Sequence, residues 1–215
     1  MPTNQVVSLQ WSPSMEQEAA MQLALTPEEA AFRDELRTFY RTEIPAEIRE
    51  RTRAGAEVSR DDIVTSNKIL NDHGLAVPNW PVEWGGGKDW TPTQQQIWLD
   101  EMQLASVPEP LTFNANMVGP VIAEFGSQEI KERFLPPTAA VDIWWCQGGF
   151  SEPEAGSDLA SLRTTALRDG DSYVVNGQKT WTTLGQYADW IFCLVRTDPD
   201  APRRSRQASH FCSST

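Results

Sequence analysis

The stretch FSEPEAGSDLASLRTTALRDGDSYVVNGQKTWTTLGQYADW, Phe150 to Trp190, decides the fold. Its middle reads as strand, Asp-Gly turn, strand, Asn-Gly turn, strand, with β-branched and aromatic residues between turn dipeptides that close hairpins. ADWIFCLVRT, Ala188 to Thr197, reads as a further strand, and IWWCQGGF just upstream has the same β texture. The expectation is an antiparallel meander. At its head, SEPEAGSD packs two hydroxyls, three carboxylates, a proline and a glycine into eight residues. Gly156 opens backbone angles closed to other residues, and Ser151 and Ser157 bring hydroxyls that donate or accept. By composition alone this is a polar loop between two strand signals.

Upstream, the texture is helical. Thr26-Pro27-Glu28-Glu29 offers an N-cap, a proline at the first helical position and a glutamate three residues on. Ala31, Phe32, Leu36, Phe39 and Tyr40 then recur at helical spacing, Pro45 ends the element, and a shorter helix is expected over 46–54. Ser59 to Asp62 is a second capping box, followed by the stripe Ile63, Ile69, Leu70 and a stop at Gly74. LAVPNWPVEWGGGKDW, Leu75 to Trp90, has too many prolines and glycines for a regular element, and its tryptophans predict a packed-down loop. Thr91 to Gln94 opens another helix, PEP at 108–110 breaks it, 116–125 reads as a buried helix, and Ser127 caps Gln128 to Leu135 before Pro136-Pro137 stops it. Residues 23–137 are thus expected to form an all-helical domain and 138–202 a partial β-domain, an α+β chain. Residues 1–22 read as a flexible leader without a basic start or apolar run, with Met15 or Met21 as alternative starts.

Bulk properties narrow the classes. The 215 residues carry a net charge of −12, which disfavours non-specific nucleic-acid or anionic-membrane binding. No segment approaches the ~20 apolar residues that span a bilayer. Three cysteines lack CxxC spacing, and only His73 and His210 are present. Neither a disulfide framework, a metal site nor a histidine triad is indicated, and a reduced cytoplasmic location is expected. Trp84-Gly85-Gly86-Gly87-Lys88 has the wrong glycine spacing for a phosphate loop, with Asp89 in place of Ser/Thr. No GxGxxG occurs. Arg163 and Arg168 read as solvated strand-edge charges. Nine tryptophans supply either core area or platforms for flat ligands.

The ordered set WCQG-FSEP-AGSDLA (Trp145 to Ala160), GDSYVVNGQKTW (Gly170 to Trp181), TT-LG (Thr182 to Gly185) and YADW (Tyr187 to Trp190) resembles the acyl-CoA dehydrogenase family. VPNWPVEWGG, NMVGPVIAEFG and LALTPEEAAFRDELR match more weakly, so the resemblance covers about residues 21–202. It implies a helical N-terminal domain, a middle β-domain and a C-terminal four-helix domain, FAD as cofactor, and removal of two hydrogens from the α and β carbons of an acyl-CoA. An electron-transfer flavoprotein-type acceptor and a homo- or hetero-oligomer are implied for the full enzyme. By the same resemblance Ser151 meets the pyrimidine end of the flavin, Thr183 its N5/O4 edge, and Trp181 packs beside the ring. Phe150, Gly156 and Thr182 complete the cofactor set, and Ser157 lies on the acyl-CoA side. Two departures stand out. Glu154 replaces a usually small residue, and Gln147-Gly148-Gly149-Phe150 is one glycine longer than usual.

The family's catalytic base belongs to the C-terminal domain, so no catalytic residue is expected here, and Glu152 and Asp158 belong to the loop motif. After VRTDPDAP the resemblance stops, and residues 203–215 read as a non-homologous tail. Codons chosen for Gln207 to Thr215, read from the third base, translate as Gly-Ile-Ser-Phe-Leu-Leu-Val-Asp, so an out-of-frame reading of a family strand is expected. The expectation is therefore the N-terminal portion of an acyl-CoA dehydrogenase, inactive alone. Two alternatives are a non-catalytic flavin- and acyl-CoA-binding subunit of a hetero-oligomer and a flavin-free β-module using its tryptophans as a platform.

Overall fold

A computed structural model describes residues 24–198 and the backbone of 208–214. The leader expected over 1–22 lies outside the described residues, as do 199–202 of the expected β-domain and 203–207 and 215 of the tail. Among the described residues six α-helices come first: α1 (Pro27–Thr42), α2 (Ala46–Arg53), α3 (Arg60–Asp72), α4 (Pro92–Leu104), α5 (Gly119–Phe125) and α6 (Gln128–Ala139). Five strands follow: β1 (Trp145–Gly149), β2 (Thr165–Asp169), β3 (Ser172–Asn176), β4 (Trp190–Arg196) and β5 (Ala208–Ser214).

Helix starts follow the local chemistry. Thr26 accepts the Glu29 N–H while Glu29 accepts the Thr26 N–H, and the same reciprocal pairs form at Ser59/Asp62 and Thr91/Gln94. Each pair satisfies two backbone donors that a helix start leaves orphaned. α1 and α4 pack together, and the Arg37 guanidinium donates twice to Glu101, at 2.8 and 2.7 Å, where the carboxylate is buried. The loop after α3 is packed down, as its tryptophans predict: Trp80 is buried and donates its indole N–H to the Ala115 carbonyl at 2.8 Å.

Two helix boundaries differ from the sequence reading. The helix expected from 116 begins earlier, as a π-helical turn over Phe113–Val118 that runs into α5. α6 continues through Pro136 and Pro137 instead of stopping before them. The prolines forfeit two backbone donors, but tertiary bonds hold the last turn. The Thr138 hydroxyl accepts the Trp145 indole N–H at 2.9 Å, and Asn67 donates to the Ala139 carbonyl at 2.8 Å.

The sheet corrects the expected antiparallel meander: it is mixed. β2–β3 and β4–β5 are antiparallel, whereas β1 and β2 both run parallel to β4. β1 lies along Trp190 to Cys193 of β4, β2 meets the same strand only at Arg196, and β5 pairs from Trp190 to Arg196. The third meander strand, expected in GQKTWTT, is absent: 177–182 follow an irregular path. Their backbone turns away to meet the SEPEAGSD loop, and Trp181 adopts φ +60°, outside any strand conformation. One continuous core joins both parts of the chain, with Tyr40, Leu70, Trp80, Met102 and Leu135 packed with Trp145 and Phe192. Burying each such large side chain contributes about 1.5–3 kcal/mol.

Candidate functional site

The site grows from the end of β1. Between Gln147 and Gly149 two steps of β1 oppose one of β4, a bulge that absorbs one residue at the place where the sequence reads one glycine long. Any side chain at Gly149 would collide with the Phe192 carbonyl. Only glycine lets the two backbones come this close. Phe150 then turns inward and packs edge-to-face on Phe192, with centroids 5.3 Å apart.

SEPEAGSD is closed on itself. Glu152 and Ala155 exchange backbone hydrogen bonds at 2.8 and 3.1 Å across Pro153 and Glu154. The Glu152 side chain is buried and accepts the N–H groups of Arg163 (2.6 Å) and Thr164 (2.9 Å) and the Lys179 ammonium (2.8 Å). Burial opposes ionisation of Glu152, but the Lys179 hydrogen bond and the donors at 163–164 overcome it and hold the carboxyl at about 2. Glu154, the carboxylate out of keeping with the family pattern, points to solvent and pairs with Arg163 at 2.6 Å. Beyond it, Gly156 and Ser157 are exposed, and a Cβ on Gly156 would meet nothing within 4 Å.

The second segment lies beside the first. Thr180 donates its N–H to the Ser151 carbonyl at 2.9 Å. Trp181 follows, 85% exposed. A positive φ costs a bulky residue roughly 1–2 kcal/mol, so its outward stance is imposed by the surrounding structure. Thr182, Thr183 and Gly185 form a compact turn with Thr183 N–H on the Trp181 carbonyl and Gly185 N–H on that of Thr182. Leu184, also at positive φ (+63°), anchors the turn to a small core with Leu111, Val141 and Trp144. Arg60 of α3 stacks over Trp144 at 4.9 Å, and Asp189 accepts the Trp144 N–H at 2.8 Å.

The fold thus brings together Phe150, Ser151, Trp181, Thr182 and Thr183. No hydrogen bond among the described residues joins Gly156 or Ser157 to that group. The hydroxyls of Ser151, Thr182 and Thr183 find no hydrogen-bond partner among the described residues, and the Thr180 hydroxyl is buried without one. A flat apolar platform beside hydroxyls that have no partner among the described residues matches the chemistry of a ring system with polar edges.

Comparison with known families decides the matter. The model of the acyl-CoA dehydrogenase N-terminal domain matches residues 26–142, and that of the acyl-CoA dehydrogenase middle domain matches 148–212. The chain belongs to the acyl-CoA dehydrogenase family. It is 42% identical over 187 residues to acyl-CoA dehydrogenase FadE26 of Mycobacterium tuberculosis (strain ATCC 25618 / H37Rv), covering 84% of this chain and 45% of that protein. Acyl-CoA dehydrogenase FadE29 of the same strain is 40% identical over 186 residues, covering 85% and 46%. Among solved structures it superposes on the ChsE4-ChsE5 complex from Mycobacterium tuberculosis with TM-score 0.73 and 40% identity, covering 90% of this chain and 48% of that one. The Tcur3481-Tcur3483 steroid ACAD gives TM-score 0.74 and 35% identity, covering 90% and 49%. The chain spans about half the length of the curated relatives it matches.

Within this acyl-CoA dehydrogenase fold, two residues at the heart of the site escaped the sequence reading. Glu152 reads only as part of the loop motif, and Lys179 only as one residue of GQKTW. The signal was a lysine between a hairpin turn and a tryptophan, where a solvated strand charge is the ordinary reading. Among the described residues no group of three or more potential metal ligands gathers, and no helix is long and apolar enough to cross a membrane.

Proposed function

We propose that the chain provides the N-terminal and middle domains of an FAD-dependent enzyme that dehydrogenates an acyl-CoA thioester between its α and β carbons. The observation that carries this reading is the pairing of Ser151 with the Trp181–Thr183 turn, tied through the Thr180 N–H, with Trp181 held outward. Bound FAD would supply hydride acceptance. The chain's own residues bind and orient: the Ser151 and Thr183 hydroxyls serve opposite polar edges of the ring, Thr182 and the backbone at Phe150 and Gly156 complete its cradle, and Trp181 covers a face and excludes water. Ser157, exposed on the loop, serves the acyl-CoA side. Among the described residues no carboxylate is placed as a base. Glu152 is locked in its ion pair, and Asp158 is exposed in the loop turn.

The acyl group we favour is a steroid-derived one, because a solved neighbour at 35% identity is a steroid ACAD. An electron-transfer flavoprotein-type acceptor would take the electrons onward. A second reading, a flavin- and acyl-CoA-binding subunit of a hetero-oligomer without its own turnover, is favoured by the ChsE4-ChsE5 and Tcur3481-Tcur3483 structures, both of paired components.

The test is the visible spectrum of the chain mixed with FAD, before and after addition of a steroid side-chain CoA thioester. A perturbed 450 nm band supports the flavin site, and an unperturbed one overturns it. Bleaching on thioester addition favours turnover, whereas a bound but unbleached flavin favours the subunit reading.

A further inference from the structure

Two backbone carbonyls and one carboxylate converge on a single ammonium group. Lys179 Nζ donates to the Phe150 carbonyl at 3.2 Å, the Leu194 carbonyl at 2.8 Å and Glu152 Oε1 at 2.8 Å. An ammonium carries three protons, so all are used. The carboxylate is equally occupied by Lys179 and the N–H groups of Arg163 and Thr164. Both side chains are largely buried, at 9% and 6% exposure, with their polar atoms taken up by each other and by backbone groups.

A buried ion pair is a poor source of stability, since desolvation consumes most of the attraction and an apolar pair of equal volume often serves as well. What an apolar pair cannot do is fix the relative position of backbones that share no ladder. Residues 177–182 lie in no strand, and neither does the loop from Ser151 to Ser157. Lys179 ties the first segment to the second through Phe150 and Glu152, and ties both to β4 through Leu194. Glu152 extends the tie to the chain entering β2 through residues 163 and 164. The Thr180–Ser151 hydrogen bond sits next to this clamp.

We propose that Lys179 and Glu152 are positioning residues that set Ser151 against Trp181 and Thr183, so that the ring-binding half-site is formed before any ligand arrives. This rests on the flavin reading above. Fixing both segments in advance removes their ordering cost from the binding step. The strained outward Trp181 fits this role, because a residue at positive φ stays there only where its flanks are over-determined.

The test compares the native chain with Lys179→Met and Glu152→Gln, first by amide hydrogen exchange without FAD and then by FAD titration followed through flavin fluorescence. In Lys179→Met the Thr180 amide should exchange about tenfold faster or more, while the Trp190 amide and those of α1 and α4 keep their native rates. In Glu152→Gln the amides of Arg163 and Thr164 should show the same local loss. FAD affinity should fall about tenfold or more in both variants, with an altered 450 nm band for the flavin that still binds. If Lys179→Met does not fold, Glu152→Gln, which keeps an acceptor for the ammonium, carries the comparison. Native exchange at Thr180 in Lys179→Met, or at Arg163 and Thr164 in Glu152→Gln, overturns the clamp. Native FAD affinity and spectrum in variants that show the local loss also overturn it as a positioning device. If the native chain binds no FAD, the flavin reading fails while the exchange data still judge the clamp.

Discussion

Asn114 and Trp145 join the two halves of the chain: the Asn114 side-chain oxygen accepts the Trp145 N–H at 3.0 Å, at the first residue of β1. The Asn114 amide nitrogen donates to the carbonyls of Thr138 and Ile143 at 3.0 and 2.7 Å. One buried side chain in the π-helical turn thus satisfies three backbone groups on the path from α6 into the sheet. Replacing Asn114 with Ala strands all three, at about 1–3 kcal/mol for each buried unsatisfied group, so the total loss should reach several kcal/mol. Urea unfolding should show a lowered midpoint, and an Asn114→Ala chain within 1 kcal/mol of native would refute the role.

Glu152 makes stability depend on acid. Its carboxyl is held at about 2 in the folded chain, against an ordinary 4.5. A depressed folded value means that the stabilisation is fully present above the ordinary value and is lost as pH falls from about 4.5 toward 2. The difference corresponds to about 3 kcal/mol. Thermal unfolding of native and Glu152→Gln chains should therefore differ most at neutral pH, the gap narrowing below pH 4.5 and closing only near pH 2. A constant gap across that window would contradict the assignment.

A substitution at Trp181 should separate stability from binding. It is 85% exposed at φ +60°, so Trp181→Gly forfeits little packing and relieves backbone strain. The unfolded-state freedom of glycine offsets part of that gain, and stability should stay within about 1 kcal/mol of native or rise. FAD affinity should fall about tenfold through loss of the stacking face. A large stability loss in urea would mean that Trp181 packs against the chain itself.

Ser151 and Thr183 should act only on the ligand. Their hydroxyls find no partner among the described residues, so Ser151→Ala and Thr183→Ala should unfold like the native chain. Each should weaken FAD by about three- to tenfold, the worth of one hydrogen bond near 1 kcal/mol. Equal FAD affinity in both variants, read by flavin fluorescence, would remove these hydroxyls from the site.

The elements that local chemistry controls were legible. Thr26 with Glu29, Ser59 with Asp62 and Thr91 with Gln94 marked three helix starts because a capping box is closed within four residues. The Asp-Gly turn marked the β2–β3 hairpin for the same reason. Where distant groups intervene, local signals misled. Pro136 and Pro137 signal a stop, yet Thr138 and Ala139 stay helical because Asn114, Trp145 and Asn67 bond to them. GQKTWTT reads as a strand, yet Lys179 and Thr180 are drawn to Phe150, Glu152 and Ser151.

The sequence by itself determined the family and the order of a helical part before a β part. Those follow from turn dipeptides, caps and an ordered motif set, all written within short spans of chain. Only the tertiary structure decided that β1 and β2 run parallel to β4, that Trp181 stands outward, and that Lys179 and Glu152 lock two loops together. Each of these depends on groups between 15 and 45 residues apart competing for the same hydrogen bonds, from Lys179–Leu194 to Trp144–Asp189. That competition is settled by burial, where an unpaired donor or charge costs most, and no local pattern records its outcome.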